Sequence, residues 1–138
     1  MTTPHKNKTH AMFLASAFGG LGAHRFYLHG RKDIWAWAHF LTLPAAILIS
    51  LIAYKQQLFF TAAPLIISVL VSIVEALVIG VTPDDKWDAL FNTNSGKNNS
   101  SDWPLAGLLV LMVGLGATAL IAVLARTLDL LFTGGSYG

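Results

Sequence analysis

Residues 58–81 read LFFTAAPLIISVLVSIVEALVIGV, 24 residues with one charge, Glu75. About 20 apolar residues in a helix cross the hydrocarbon core of a bilayer, so this stretch is long enough to span. Lipid offers no partner to open backbone groups, and the run lacks the alternating polar positions of a barrel strand, which leaves the α-helix. Two more runs have the same character. Residues 34–54 carry no Asp, Glu, Lys or Arg over 21 residues, and residues 103–125 none over 23.

The composition agrees with this distribution. Of 138 residues, 54% are hydrophobic and 12% charged. A soluble domain carries about 25% charged residues. With no cysteine, a disulfide scaffold, a cysteine zinc site and a thiol nucleophile are excluded. A net charge of +2 is too small to argue for nucleic acid.

A fourth apolar run, residues 11–23, has only 13 residues. Thr9, His10 and residues 24–28 extend it into a short first span. The expected fold is therefore an all-α integral membrane protein, a bundle of four transmembrane helices with the first one short. A re-entrant or interfacial segment is the competing reading. A cleaved signal peptide is disfavoured, because glycine would interrupt its core. The expected organisation is a basic tail (1–10), a helical hairpin (11–54), a third span (55–81), a polar loop (82–102), a fourth span (103–132) and a tail (133–138). Within the loop, Thr82 as N-cap, Pro83 at the first helical position and Asp84 and Asp85 in the first turn predict a short helix. Trp87, Leu90 and Phe91 share one face of it, which predicts an interfacial helix in the headgroup layer. Residues 92–102 read as a flexible linker. Pro44 and Pro64 are expected to kink their helices.

Four spans put Lys6, Lys8, Lys55 and Arg126 on one side and Arg25, Arg31, Lys32, Lys86 and Lys97 on the other. Four against five does not orient the protein by the positive-inside rule. The density of Arg25, Arg31 and Lys32 tips the 29–33 loop toward the cytoplasm.

Ala15, Gly19 and Gly22 fall on one face of a helix, where small residues let backbones approach closely. Gly107, Gly114 and Thr118 extend that theme in the last span. After the first glycines come His24, Arg25, Phe26 and Tyr27, and an arginine with aromatics at a helix end anchors it at the interface.

Residues 18–30, FGGLGAHRFYLHG, closely resemble the signature of the TM-two domain family, small membrane proteins built on a two-helix hairpin. The resemblance covers roughly residues 6–54 and implies an integral membrane protein. It transfers no biochemical activity. Many members carry an acid near the end of the hairpin after a tryptophan-containing stretch; here the nearest acid is Glu75, so that position is not carried over.

Glu75 is the sharpest feature found from physics alone. A carboxylate in hydrocarbon costs about 2.5–3.5 kcal/mol on insertion scales, so it must face protein or water. Thr61, Ser68, Ser72, Glu75 and Thr82 share one helical face. His39 lies at a similar depth in the antiparallel neighbour, and Arg25 ends the first helix on that side. The expected site is a buried polar cluster of Glu75 with Arg25, His39 or both, with Ser68 and Ser72 beside it. It reads either as a fold-specifying clasp or as a proton or cation site.

No catalytic residue, metal or cofactor is expected. No two histidines lie at i, i+4 on a helix, and Ser68 and Ser72 share a helix with Glu75 rather than with a histidine. The expected partners are the lipid bilayer and either a second copy or another membrane protein, with no nucleic acid. The expected function is that of a multi-pass membrane protein acting through helix packing, as an oligomer or an accessory subunit of a membrane complex. The alternative is a small proton- or ion-conducting protein centred on Glu75. The expected location is the bacterial inner (cytoplasmic) membrane.

Overall fold

Asn7 opens the first helix: its side chain accepts a hydrogen bond from the His10 backbone N–H at 2.9 Å, satisfying a donor that the first turn leaves open. In the computed structural model, described over residues 3–136, α1 (Lys8–Phe18) is followed by a 3-10 turn (Gly19–Leu21) and then by α2 (Ala23–His29). No strand occurs among the described residues. Gly22, at φ +74°, takes the left-handed conformation that turns the chain, and its N–H bonds the Gly19 carbonyl at 2.8 Å. α2 then runs back along α1. The Lys6 ammonium donates to the Tyr27 carbonyl at 2.6 Å, and the Tyr27 hydroxyl accepts from the Asn7 N–H at 2.9 Å.

This hairpin corrects the expected first span. Eleven residues of helix are about 16 Å long, roughly half the thickness of the hydrocarbon core. The glycines end α1 and reverse it, so the segment enters the bundle and returns to the end it came from. Ala15, Gly19 and Gly22 consequently do not share one helical face.

Three helices are long and apolar enough to cross a membrane: α3 (Ile34–Ile52), α5 (Ala63–Val81) and α7 (Trp103–Thr133). Among the described residues there are thus three candidate spans and a short N-terminal hairpin, and the fourth expected span is not among them. A one-turn helix, α4 (Leu58–Thr61), precedes α5. Pro64 lies in the first turn of α5 and starts that helix instead of kinking it, while α3 runs unbroken through Pro44. α1 packs between α5 and α7, where Met12 and Ala15 meet Ala76, Leu105 and Met112 in the core.

α6 (Asp84–Phe91) begins one residue later than the capping pattern predicts, with Pro83 just ahead of it. Trp87 is 1% exposed and donates its indole N–H to the Lys6 carbonyl at 2.8 Å. Trp87 is therefore turned onto protein, because the folded-back N-terminus lies beneath it, while Leu90 on the same face stays exposed. The segment after α6 is tied as well. The Asn92 side chain accepts from the Lys6 N–H at 2.7 Å, and the Asn99 N–H donates to Asp88 at 2.7 Å, so residues 92–102 are no loose linker. Lys8 is buried inside α1, so the expected basic tail is part of the fold from residue 3 onward. Residues 1–2 and 137–138 of the two expected tails lie outside the described residues.

Arg126 donates to Gln57 at 2.8 Å, joining the far end of α7 to the α3–α4 connection. Lys55 and Arg126 therefore mark one end of the bundle. The other seven basic residues (Lys6, Lys8, Arg25, Arg31, Lys32, Lys86 and Lys97) lie toward the opposite end. With seven basic residues against two, the positive-inside rule predicts the seven-residue end on the cytoplasmic side. The chain has no cysteine, so single cysteines report cleanly. Thr3→Cys and Arg31→Cys are expected to react with an impermeant maleimide from the same side of the membrane, the cytoplasmic one, and Lys55→Cys from the other. Four spans would put Thr3 and Arg31 on opposite sides.

Candidate functional site

Two polar clusters hold the hairpin in the bundle. The inner one is centred on Glu75 in α5. His24, on the first turn of α2, places Nε2 at 2.8 Å from Glu75 Oε2. Arg25, the next residue, donates a guanidinium N–H to Glu75 Oε1. His39 of α3 brings Nε2 to 3.2 Å from Glu75 Oε2. The cluster extends in two directions. Arg25 Nε donates to Asp33 at 2.8 Å, and Asp33 also caps α3 by accepting from the Trp35 N–H at 3.1 Å. His39 Nδ1 lies 2.6 Å from the Ser68 hydroxyl, which donates to the Gly20 carbonyl at 2.7 Å.

Of the residues read from the sequence, the structure brings Glu75, Arg25, His39 and Ser68 together in this cluster. Ser72 is buried but does not touch Glu75; its hydroxyl donates to the Val69 carbonyl at 2.8 Å. Ser72 instead lies against the glycine turn, where a Cβ on Gly19 would fall 2.5 Å from Ser72 Cβ. His24 is the partner of Glu75 that spacing alone did not find. Its position beside Arg25 on the first turn of α2 is the only sequence signal for it. Phe26 and Tyr27 act away from the carboxylate. Phe26 stacks edge-on against Trp37 with ring centres 5.3 Å apart, and Tyr27 closes the hairpin at Lys6 and Asn7. Gly114 has no protein atom within 4 Å of where a Cβ would stand, so within this chain it packs against nothing.

The second cluster is one the sequence reading missed. Lys8, 1% exposed, donates to the Thr82 carbonyl at 2.9 Å, the Ser101 hydroxyl at 2.8 Å and the Asp84 carboxylate. These acceptors match the three protons of the ammonium. They come from the end of α5, the start of α6 and the approach to α7. Thr9 adds a bond at 2.8 Å to Asp102, the residue that caps α7. The Lys8 ammonium, backed by Ser101, holds the Asp84 carboxyl below the usual carboxylate range, at about 2.

These features define an all-helical membrane protein in which a short N-terminal hairpin is clasped to three helices long and apolar enough to span. The family model described as TM2 domain matches residues 4–54, the stretch that holds the hairpin and α3. Residues 55–138 lie outside the match, so Glu75 clasps the TM2 domain from beyond it. No curated protein and no solved structure matches the chain.

Two outcomes follow from this geometry. Gly22 has a left-handed backbone, and a Cβ there would stand 2.7 Å from the Ala36 carbonyl oxygen; Gly96 is also left-handed, but a Cβ there meets nothing within 4 Å. Gly96→Ala is expected to lose about 1–2 kcal/mol, the backbone cost alone. Gly22→Ala is expected to lose more in the same denaturation in detergent micelles. Equal losses would mean that the turn is not seated on α3.

The second outcome concerns acid. A carboxyl lowered by folding adds stability above its ordinary pKa near 3.8, and that stability is lost as the pH falls toward about 2. The unfolding midpoint of the wild type should therefore drop between pH 4 and 2. Asp84→Asn should start from a lower midpoint and fall less steeply across that window. A fall of unchanged steepness would count against the Lys8–Asp84 pair.

Proposed function

We propose that this chain is a non-catalytic multi-pass membrane protein of the TM2 domain type that works through helix packing, as an oligomer or as an accessory subunit of a membrane complex. The observation that carries this reading is a contrast among its glycines. Gly19, Gly20, Gly80 and Gly116 are each so close to a neighbouring helix that a Cβ would come within 3 Å of a side chain. Gly107 and Gly114, on the outer face of α7 with exposed Thr118, have no protein atom within 4 Å. Where this chain uses helix glycines internally it uses them for close approach, and the open ones suit a second helix from outside.

The Glu75 cluster supports the same reading. Its carboxylate is engaged by Arg25, His24 and His39 from its own chain, which makes it a clasp. Conduction across the membrane is the weaker alternative, because the hydrogen-bonded chain beyond His39 and Ser68 ends at the Gly20 carbonyl, which only accepts. The proposed location is the bacterial inner membrane, with the basic end in the cytoplasm.

The test is association in lipid. Gly114→Cys is expected to form a disulfide with a second copy or a partner on mild oxidation in native membranes. Gly114→Leu, which fills the open face, is expected to reduce the size of the complex in mild detergent several-fold in abundance. A chain that stays monomeric and partnerless in both experiments would overturn this reading.

A further inference from the structure

We propose that the Glu75–His39 pair binds one exchangeable proton beyond those that a carboxylate and a neutral imidazole carry, and that this proton exchanges only with the basic end of the protein. This goes beyond the packing role, since it gives the clasp an ionic state that the surroundings can set.

Hydrogen counting carries the first half. Ser68 has one hydroxyl proton, and it is committed to the Gly20 carbonyl at 2.7 Å. The Ser68 oxygen can then only accept from His39 Nδ1 at 2.6 Å, so Nδ1 bears a proton. On the other side of the ring, Nε2 faces Glu75 Oε2 at 3.2 Å. Two bare lone pairs there would repel, so a proton lies between them. Whether it resides on Nε2 or on the carboxyl, the pair holds the same number of protons.

Charge counting also calls for one added proton in the cluster, and the hydrogen count assigns it to the Glu75–His39 pair. Arg25 and His24 reach the carboxylate from α2, His39 from α3 and Glu75 from α5, with Asp33 at the head of α3 bonded to Arg25. No other ionisable side chain among the described residues is hydrogen-bonded or ion-paired to Glu75, His24 or His39. One fixed positive charge against two carboxylates leaves a net negative charge. An uncompensated charge inside the bundle is costly, and one added proton removes it. A metal ion is a poorer occupant, because the Arg25 guanidinium already holds the other carboxylate oxygen.

The cavities carry the second half. A cavity of about 260 Å³ is bounded by Arg25, Glu75 and Trp87, and a second of about 530 Å³ by Thr3, Lys6 and Asn94 at the basic end. The two share Leu28, His29, Leu90 and Phe91 in their walls, with the His29 and Phe91 rings 5.7 Å apart at the junction. Both are roomy enough for water, which can carry a proton from the surface to Glu75. In the other direction the chain ends at the Gly20 carbonyl. Loading takes up one proton from the water of that end as an N–H or O–H bond, and unloading returns it to the same side.

The experiment uses the full chain in lipid nanodiscs, with 15N-labelled histidine and 13C-labelled glutamate. At pH 7 the His39 nitrogens should both be protonated with Glu75 ionised, or His39 should be neutral with Glu75 a carboxylic acid. A neutral His39 beside an ionised Glu75 overturns the proposal in the wild type alone. Ser68→Ala removes the acceptor for Nδ1–H and should lower the titration of the pair by about one pH unit, a tenfold weaker proton affinity. A titration that does not move also overturns it. In oriented vesicles, a pH step at the basic end should change the carboxyl and imidazole infrared bands within the step, and a step at the far end should not. Proton flux above that of empty vesicles would overturn the one-sided access.

Discussion

Glu75 lies in α5 with Val74 and Val78 exposed beside it on the outer surface, and a carboxylate in that setting must find its counter-charges inside the protein. No basic residue of α5 itself is available, since residues 63–81 contain none. The cations come from α2 and α3, and bringing them there constrains the fold. The first turn of α2 must be aimed inward so that the His24 and Arg25 side chains reach α5, which requires the hairpin to turn within the bundle. Removing Arg25 would leave the Glu75 and Asp33 carboxylates without their shared fixed cation, which makes that residue the most costly member to lose.

A reversal of the chain at that depth is demanding, because every backbone group there needs a partner within the protein. The glycine turn meets this in a specific way. Gly22 bonds back to Gly19, and the Gly20 carbonyl takes the hydroxyl proton of Ser68 from α5. The absence of Cβ atoms lets the turn press against Ser72 and Val69 on one helix and Ala36 on another. The serines of α5 thus serve the hairpin more than they serve the carboxylate. Ser68 does both, since its oxygen also receives His39.

At the basic end, Lys8 and Trp87 do for the surface of the bundle what Glu75 does for its interior. Lys8 binds acceptors from three separate segments, and the Trp87 indole closes over the Lys6 carbonyl. The two clusters hold the hairpin at its open end and near its turn. The first of these contacts lies partly outside the TM2 match and the second relies on α5, so residues beyond 54 anchor the matched domain.

The sequence by itself determined the three long apolar helices, the inward polar stripe of α5 and the importance of Glu75. Each of these is a property of one run of residues: length against bilayer thickness, or polar positions recurring on one helical face. Arg25 and His39 were legible as partners because depth along antiparallel helices can be counted. Tertiary structure decided the rest. The glycines at 19, 20 and 22 suit a packed helical face and a reversing turn equally well, and only contact with Ser72, Val69 and Ala36 selects the turn. His24 meets Glu75 across 51 residues and Lys8 meets Asp84 across 76, separations at which no local pattern carries a signal. The orientation expected from the positive residues depends on that one turn. Folding the first segment back moves Lys6 and Lys8 to the end that holds Arg25, Arg31 and Lys32, and an even distribution of positive charge becomes a decisive one.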